Sequence, residues 1–77
     1  MTNRKIRLRL KEILQDRHMS QAELSRCSGI REATISRMVN NNYERVQLEH
    51  LECIMRALNV CDFNQILEMV WEEVVDT

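Results

Sequence analysis

The chain has one glycine and no proline in 77 residues. That glycine, Gly29, lies within Ser20-Gln-Ala-Glu-Leu-Ser-Arg-Cys-Ser-Gly29-Ile-Arg-Glu-Ala-Thr-Ile-Ser-Arg-Met-Val39, where two short amphipathic segments meet. Glycine enters the left-handed backbone region without a Cβ penalty, so a lone glycine at such a joint marks a sharp turn. The outline is helix, tight turn, helix.

A chain of this length buries only about 60% of the surface its unfolded form exposes, so its stability is marginal and dimerisation is one usual remedy. With 44% hydrophobic and 30% charged residues, the balance is that of a globular protein rather than a disordered one. No apolar run reaches the ~18 residues of a membrane span, and no signal-peptide pattern opens the sequence, so a cytoplasmic location is expected. Cys27, Cys53 and Cys61 are widely spaced, and neither His18 nor His50 joins them in a ligand pattern. They read as small buried hydrophobes in a reducing compartment, with no metal and no cofactor expected.

The net charge of −1 hides an asymmetry. Residues 1–46 carry ten basic side chains (Arg4, Lys5, Arg7, Arg9, Lys11, Arg17, Arg26, Arg31, Arg37, Arg45) against five acidic ones. Residues 62–77 hold five acidic side chains (Asp62, Glu68, Glu72, Glu73, Asp76) and no basic one. Such a split fits an electropositive working surface with an acidic end kept away from phosphate; the plainer alternative is that the charges solvate helix faces.

Helical spacing runs along the whole chain and no segment is read as a strand. In the first segment Ile6, Leu10, Ile13 and Leu14 share a stripe, and Leu8 falls off it. Ser20 is a good N-cap with Glu23 three residues later, the spacing of a capping box. Ala22, Leu24 and Cys27 offer the inner face of that second helix, and Ser25 is small enough for close approach. A third helix from about Glu32 to Asn40 turns Ile35, Met38 and Val39 inward. Asn40-Asn41-Asn42 ends it, since asparagine tolerates the left-handed region. Leu48, Leu51, Ile54, Met55 and Leu58 stripe a fourth helix, and Asp62 caps a last one over about 62–75 with Phe63, Ile66, Leu67, Val70, Trp71 and Val74. The expected fold is all-α, a compact five-helix bundle in a single domain over residues 1–77, with a helix-turn-helix at about 20–40.

From Ile6 to about Val70 the sequence resembles the Cro/cI-type (XRE) helix-turn-helix family of phage and bacterial repressors, most closely its small single-domain members. The resemblance rests on Ser20-Gln21-Ala22-Glu23-Leu24-Ser25, Gly29-Ile30, Thr34-Ile35-Ser36-Arg37, Leu48-Glu-His-Leu51, Ala57-Leu58-Asn59-Val60 and Ile66-Leu67. It implies a lambda-repressor-like DNA-binding domain whose third helix lies in the major groove. By the same resemblance Gln21 contacts phosphate beside a helix N-terminus. Arg31, Glu32, Ala33 and Thr34 open the recognition helix, with Ser36 and Arg37 one turn later, and Asn40, Asn41 and Asn42 grip the backbone. Arg31, Glu32 and the asparagines after the third helix are three departures from the family pattern. Arg31 stands where a Ser or Thr cap is usual, and makes better sense reaching phosphate or guanine. Asn-Asn replaces the usual Asn-Gly after the third helix. Glu32 either accepts from a cytosine amino group or serves the helix dipole.

Some of Arg4, Lys5, Arg7, Arg9 and Lys11 add phosphate contacts in this reading, at most one or two of them. Core packing accounts for Phe63, Ile66, Leu67 and Val70, whereas the apolar excess at Met69, Trp71, Val74 and Val75 marks a dimer seam, a protein docking site or a longer core. No nucleophile–base pair, paired carboxylates or phosphate loop argues for an enzyme. The expectation is a DNA-binding transcriptional regulator, a repressor acting as a homodimer on a near-palindromic operator in double-stranded DNA. The alternative is a protein-interaction module on the same scaffold, an anti-repressor or partner-binding regulator.

Overall fold

The computed structural model describes residues 2–73. Its elements are β1 (Thr2–Leu8), α1 (Leu10–Asp16), α2 (Gln21–Ser28), α3 (Glu32–Val39), α4 (Leu48–Leu58), α5 (Phe63–Ile66) and β2 (Leu67–Glu73). Five helices stand among the described residues, as expected, and all-α describes the fold only approximately: β1 and β2 pair as a two-stranded antiparallel ribbon. The first helix therefore starts at Leu10, not near Ile6, and the helix expected over about 62–75 stops after Ile66.

The physical reason lies in the cross-strand partners. Leu8 faces Leu67, Ile6 faces Met69 and Arg4 faces Trp71, while Lys5 faces Val70 and Arg7 faces Glu68. Apart from Lys5 and Val70, each pairing joins side chains that complement one another, and such pairs are the unit of ribbon stability. The Arg4 guanidinium lies 5.4 Å from the centre of the Trp71 ring, a cation–π contact. Arg7 also bonds Glu68 at 3.1 Å across the strands. Over five to seven residues a period of two and a period of 3.6 overlap, so the distant partner decides between them.

The core is continuous from Leu8, Leu10 and Leu14 through Leu24, Ile35, Met38 and Val39 to Leu51, Ile54, Leu58 and Ile66. Leu8, which has no place on a helical stripe, is fully buried as the last residue of β1. Ile6, Leu48, Phe63, Cys27 and Cys61, expected inside, are exposed, Cys61 lying between α4 and α5. Ile6 sits on the ribbon, Leu48 and Phe63 are the first residues of their helices, and Cys27 lies in the last turn of α2.

Each of the four longer helices is followed by a residue in the left-handed region: His18 (φ 52°), Gly29 (φ 76°), Asn41 (φ 53°) and Asn59 (φ 55°). Only one of these joints uses glycine. At Gly29 the N–H donates to the Ser25 carbonyl at 2.9 Å, closing α2. The Ser25 hydroxyl donates across the turn to the Ile30 carbonyl, and Ser28 Oγ accepts from the Ile30 N–H. Ser25 therefore clasps the turn as well as permitting close packing. No atom lies within 4 Å of where a Cβ on Gly29 would sit, so a side chain there is penalised by conformation alone. Gly29→Ala is expected to lower the unfolding free energy by about 1–2 kcal/mol in chemical denaturation. Gly29→Asn should lose less, because asparagine tolerates this region.

Ser20 caps α2, its Oγ accepting from the Glu23 N–H at 3.1 Å. The Glu23 carboxylate meets the Ser20 hydroxyl. Asp62 caps α5 through the Asn64 N–H at 2.9 Å. At the far end of α4 the Arg17 guanidinium donates to the Leu58 carbonyl, placing positive charge at the negative end of the helix.

Candidate nucleic-acid interface

Burial of Ile35, Met38 and Val39 fixes the rotation of α3. With those three turned inward, Arg31, Glu32, Ala33 and Arg37 face solvent, and Thr34 and Ser36 are half-buried at the flanks. Arg31 is the N-cap of α3 in an extended conformation, and its side chain makes no capping bond. An arginine cannot accept from the exposed N–H groups of the first turn, so this helix start keeps its positive end open. Glu32 lies in that first turn, where a carboxylate complements the helix dipole.

Gln21, half-buried, is the first residue of α2. It shares a cleft of about 310 Å³ with Lys11, Ser20 and Asn40. The start of α2, the end of α3 and a lysine of α1 thus converge on one concave surface.

The three asparagines after α3 diverge. Asn40 donates its side-chain amide to the Ser36 carbonyl at 3.0 Å, closing its own helix, and remains exposed. Asn42 is exposed, with its N–H on the Arg37 carbonyl at 2.9 Å. Asn41 turns inward. Its Oδ1 accepts from the Leu8 N–H and from the Tyr43 hydroxyl, each at 2.8 Å, and its Nδ2 donates to the Leu8 carbonyl at 3.1 Å. The side chain thereby satisfies both main-chain groups of Leu8, as a neighbouring strand would, and ties the loop after α3 to the end of β1. Burial pushes the Tyr43 phenol up from its usual pKa, with the Leu8 main chain pulling the other way. The hydroxyl is thus a neutral donor at ordinary pH.

The basic residues near the start of the chain are sorted by their partners. Arg7 bonds Glu12 at 2.6 Å and Glu68 at 3.1 Å, and Arg9 reaches Glu68 at 3.5 Å. The carboxyl of Glu12 is held below the usual range, by its own main-chain N–H first and then by Arg7. The hydrogen bond to Glu12 likewise raises Arg7 above its ordinary value. Lys5, Lys11, Arg31, Arg37 and Arg45 enter no ion pair among the described residues. Lys5, Thr34, Arg37, Asn41, Asn42, Arg45 and His50 line a polar groove of about 1110 Å³ between the ribbon, α3 and the loop before α4. Arg45, His50 and Tyr43 were not singled out for this face by sequence reasoning. Arg7 and Arg9 are turned from this face in part by Glu68, which lies on β2 and reaches them only because the ribbon forms.

On the opposite face of the ribbon Ile6, Met69 and Trp71 are 59%, 56% and 68% exposed, an apolar patch outside the core. Val74 and Val75, expected to share that seam, lie outside the described residues. No group of three metal-ligating side chains occurs among the described residues, and none of their helices is long and apolar enough to cross a membrane.

Comparison with known proteins supplies an independent line. The family model described as the Cro/C1-type helix-turn-helix DNA-binding domain matches residues 9–72. Among solved structures, the chain is similar to that titled "Crystal structure of transcriptional regulator VanUg, Form II", at 31% sequence identity and a TM-score of 0.68. The match covers 90% of this chain and 89% of that one. A search of curated proteins found no match.

Proposed function

The chain belongs to the Cro/C1-type helix-turn-helix DNA-binding family, and we propose that it is a cytoplasmic transcriptional repressor binding a near-palindromic operator as a homodimer. The observation that carries the reading is the unpaired, exposed edge of α3, with Arg31 and Arg37 one side and the buried Ile35, Met38 and Val39 the other. In this arrangement Arg37 reaches base edges from within the helix, and Arg31 reaches phosphate or guanine at its head. Ala33, Thr34 and Ser36 face the major groove between them, and Glu32 accepts from a cytosine amino group or serves the dipole. Gln21 and Asn40 hold one phosphate at the α2 start, where the helix dipole favours an anion. Asn42 contacts the next stretch of backbone. Repression follows from occupying the operator against polymerase, an act of binding rather than catalysis.

Two observations support a dimer. A two-stranded ribbon alone in water is marginal, and this one leaves Ile6, Met69 and Trp71 uncovered. The proposed pairing with a second copy is through that face, each copy offering its α3 to one of two successive major grooves.

Selection from a random duplex pool at two salt concentrations tests the reading. A palindromic consensus is the expected result. Retention that is sequence-blind at both concentrations would overturn it and favour the protein-interaction alternative. On the selected duplex Arg37→Ala is expected to weaken binding by about 1–3 kcal/mol and relax preference at one base position. Undiminished binding by both Arg37→Ala and Arg31→Ala, in folded protein, would remove α3 as the reading element.

A further inference from the structure

The polar groove beneath α3 reaches well past the recognition helix, and its far wall is a strand. Resting on the DNA-binding reading above, we propose that this groove seats a DNA sugar-phosphate backbone, with Lys5 of β1 and Arg45 as sequence-independent phosphate contacts. Three observations carry the proposal.

The first is charge selection along one strand. Of the basic residues in and just after β1, Arg7 and Arg9 are engaged by Glu12 and Glu68, and Arg4 lies on Trp71. Lys5 alternates to the face opposite Arg4 and borders the groove without an acid partner among the described residues. Across the groove stand Arg37 and Arg45, and Glu44 is the one acid in the lining. A surplus of cations left unneutralised at one place, while their neighbours are paired, is an electrostatic footprint for a polyanion.

The second is shape and chemistry. About 1110 Å³ of open groove exceeds the range of roughly 300–1,000 Å³ typical of small-ligand pockets, which are also predominantly apolar. Thr34, Asn42 and Gln47 add hydroxyl and amide donors to the walls. Such a lining suits a chain that runs through the groove rather than a molecule enclosed by it.

The third is rigidity. Asn41 binds both main-chain groups of Leu8, so β1 is fastened to the loop that follows α3. Lys5, three residues along the same strand, is thereby held in register with Arg37. A flexible lysine on a fastened backbone makes a phosphate contact at a lower ordering cost than one on a free arm.

The test measures affinity against salt for the selected operator and for a random duplex, with unmodified protein, Lys5→Gln, Lys5→Arg and Arg45→Gln. Both positions are exposed, so equal thermal melts are expected throughout. Each substitution removes one contact per copy, two in the proposed homodimer, so Lys5→Gln and Arg45→Gln should each reduce the slope of log K against log salt by about 1.8. Lys5→Gln and Arg45→Gln should weaken operator and random duplex by the same factor, with Lys5→Arg restoring the slope. An unchanged slope in Lys5→Gln and Arg45→Gln, where Arg37→Ala still loses specific binding, overturns this inference and leaves the operator reading standing. A change in base preference rather than slope also overturns it, assigning these residues to sequence reading. Failure of the unmodified protein to bind any duplex removes both proposals together.

Discussion

Asn41→Ala should lower the unfolding free energy by about 3–5 kcal/mol, more than any other single change outside the apolar core. One side chain makes three hydrogen bonds here, two of them to the main chain of Leu8, which is buried. Removing it leaves a buried donor and a buried acceptor with no partner, each costing about 1–3 kcal/mol. The left-handed backbone at Asn41 adds about 1 kcal/mol for alanine. Asn41→Gly separates the two contributions, because glycine removes the hydrogen bonds and leaves the conformation unstrained. A domain of this size has in total about 4–12 kcal/mol of stability. At roughly 4–8 °C per kcal/mol, the alanine variant should melt well over 10 °C lower. If Asn41→Gly melts within a degree or two of the unmodified protein, the clasp between the loop and β1 contributes nothing.

Met69→Glu carries the largest expected effect on DNA binding. Met69 lies opposite Ile6 in the middle of the exposed apolar face, and a carboxylate there stays hydrated in a single copy. Buried against a second copy it would be an unpaired charge, which interfaces do not tolerate. The protein should therefore run as one chain in light scattering at micromolar concentration, with its helical circular dichroism retained. Losing the linkage between two half-site contacts costs avidity, about a hundred- to ten-thousandfold on a palindromic operator. Half-site affinity should be unaltered, because Arg31 and Arg37 lie on α3, not on the ribbon. Strictly monomeric unmodified protein, or an unmoved affinity for the full operator in Met69→Glu, would exclude the ribbon as the dimer seam.

What could be read from the sequence was local. Ser20 and Asp62 announced two caps, Gly29 a turn, and the i, i+3, i+4 spacing of Ile35, Met38 and Val39 the rotation of α3. These signals lie within a few residues of what they specify, so tertiary structure had little opportunity to override them. The ribbon was not legible, because its evidence is divided between two segments on either side of all the helices. Ile66 and Val70 keep a helical spacing that is also compatible with a short helix followed by a strand. Only the pairing of Leu8 with Leu67 and Arg7 with Glu68 chooses between them. Leu8 had no place on a helical stripe for the same reason: its inward direction follows the strand's alternation. The candidate site divided in the same way. The exposed edge of α3 followed from its buried face, whereas Asn41 could not be told from Asn40 and Asn42 by identity, since the difference lies in what each can reach. The left-handed backbone at His18 was not read from the sequence, although histidine, with asparagine and aspartate, is among the non-glycine residues enriched there.

The pairing of residues 2–8 with 67–73 also orders events in time. α3 packs against α2 and α1, elements that lie close to it in the chain, whereas the ribbon must close around all of residues 9–66. Closing so long a loop is entropically costly before its contacts repay it, so long-range pairing of this kind forms late and opens early. The helices that face DNA can thus be in place while the ribbon is still open. The ribbon proposed as the seam between two copies is then the last part of each to be made.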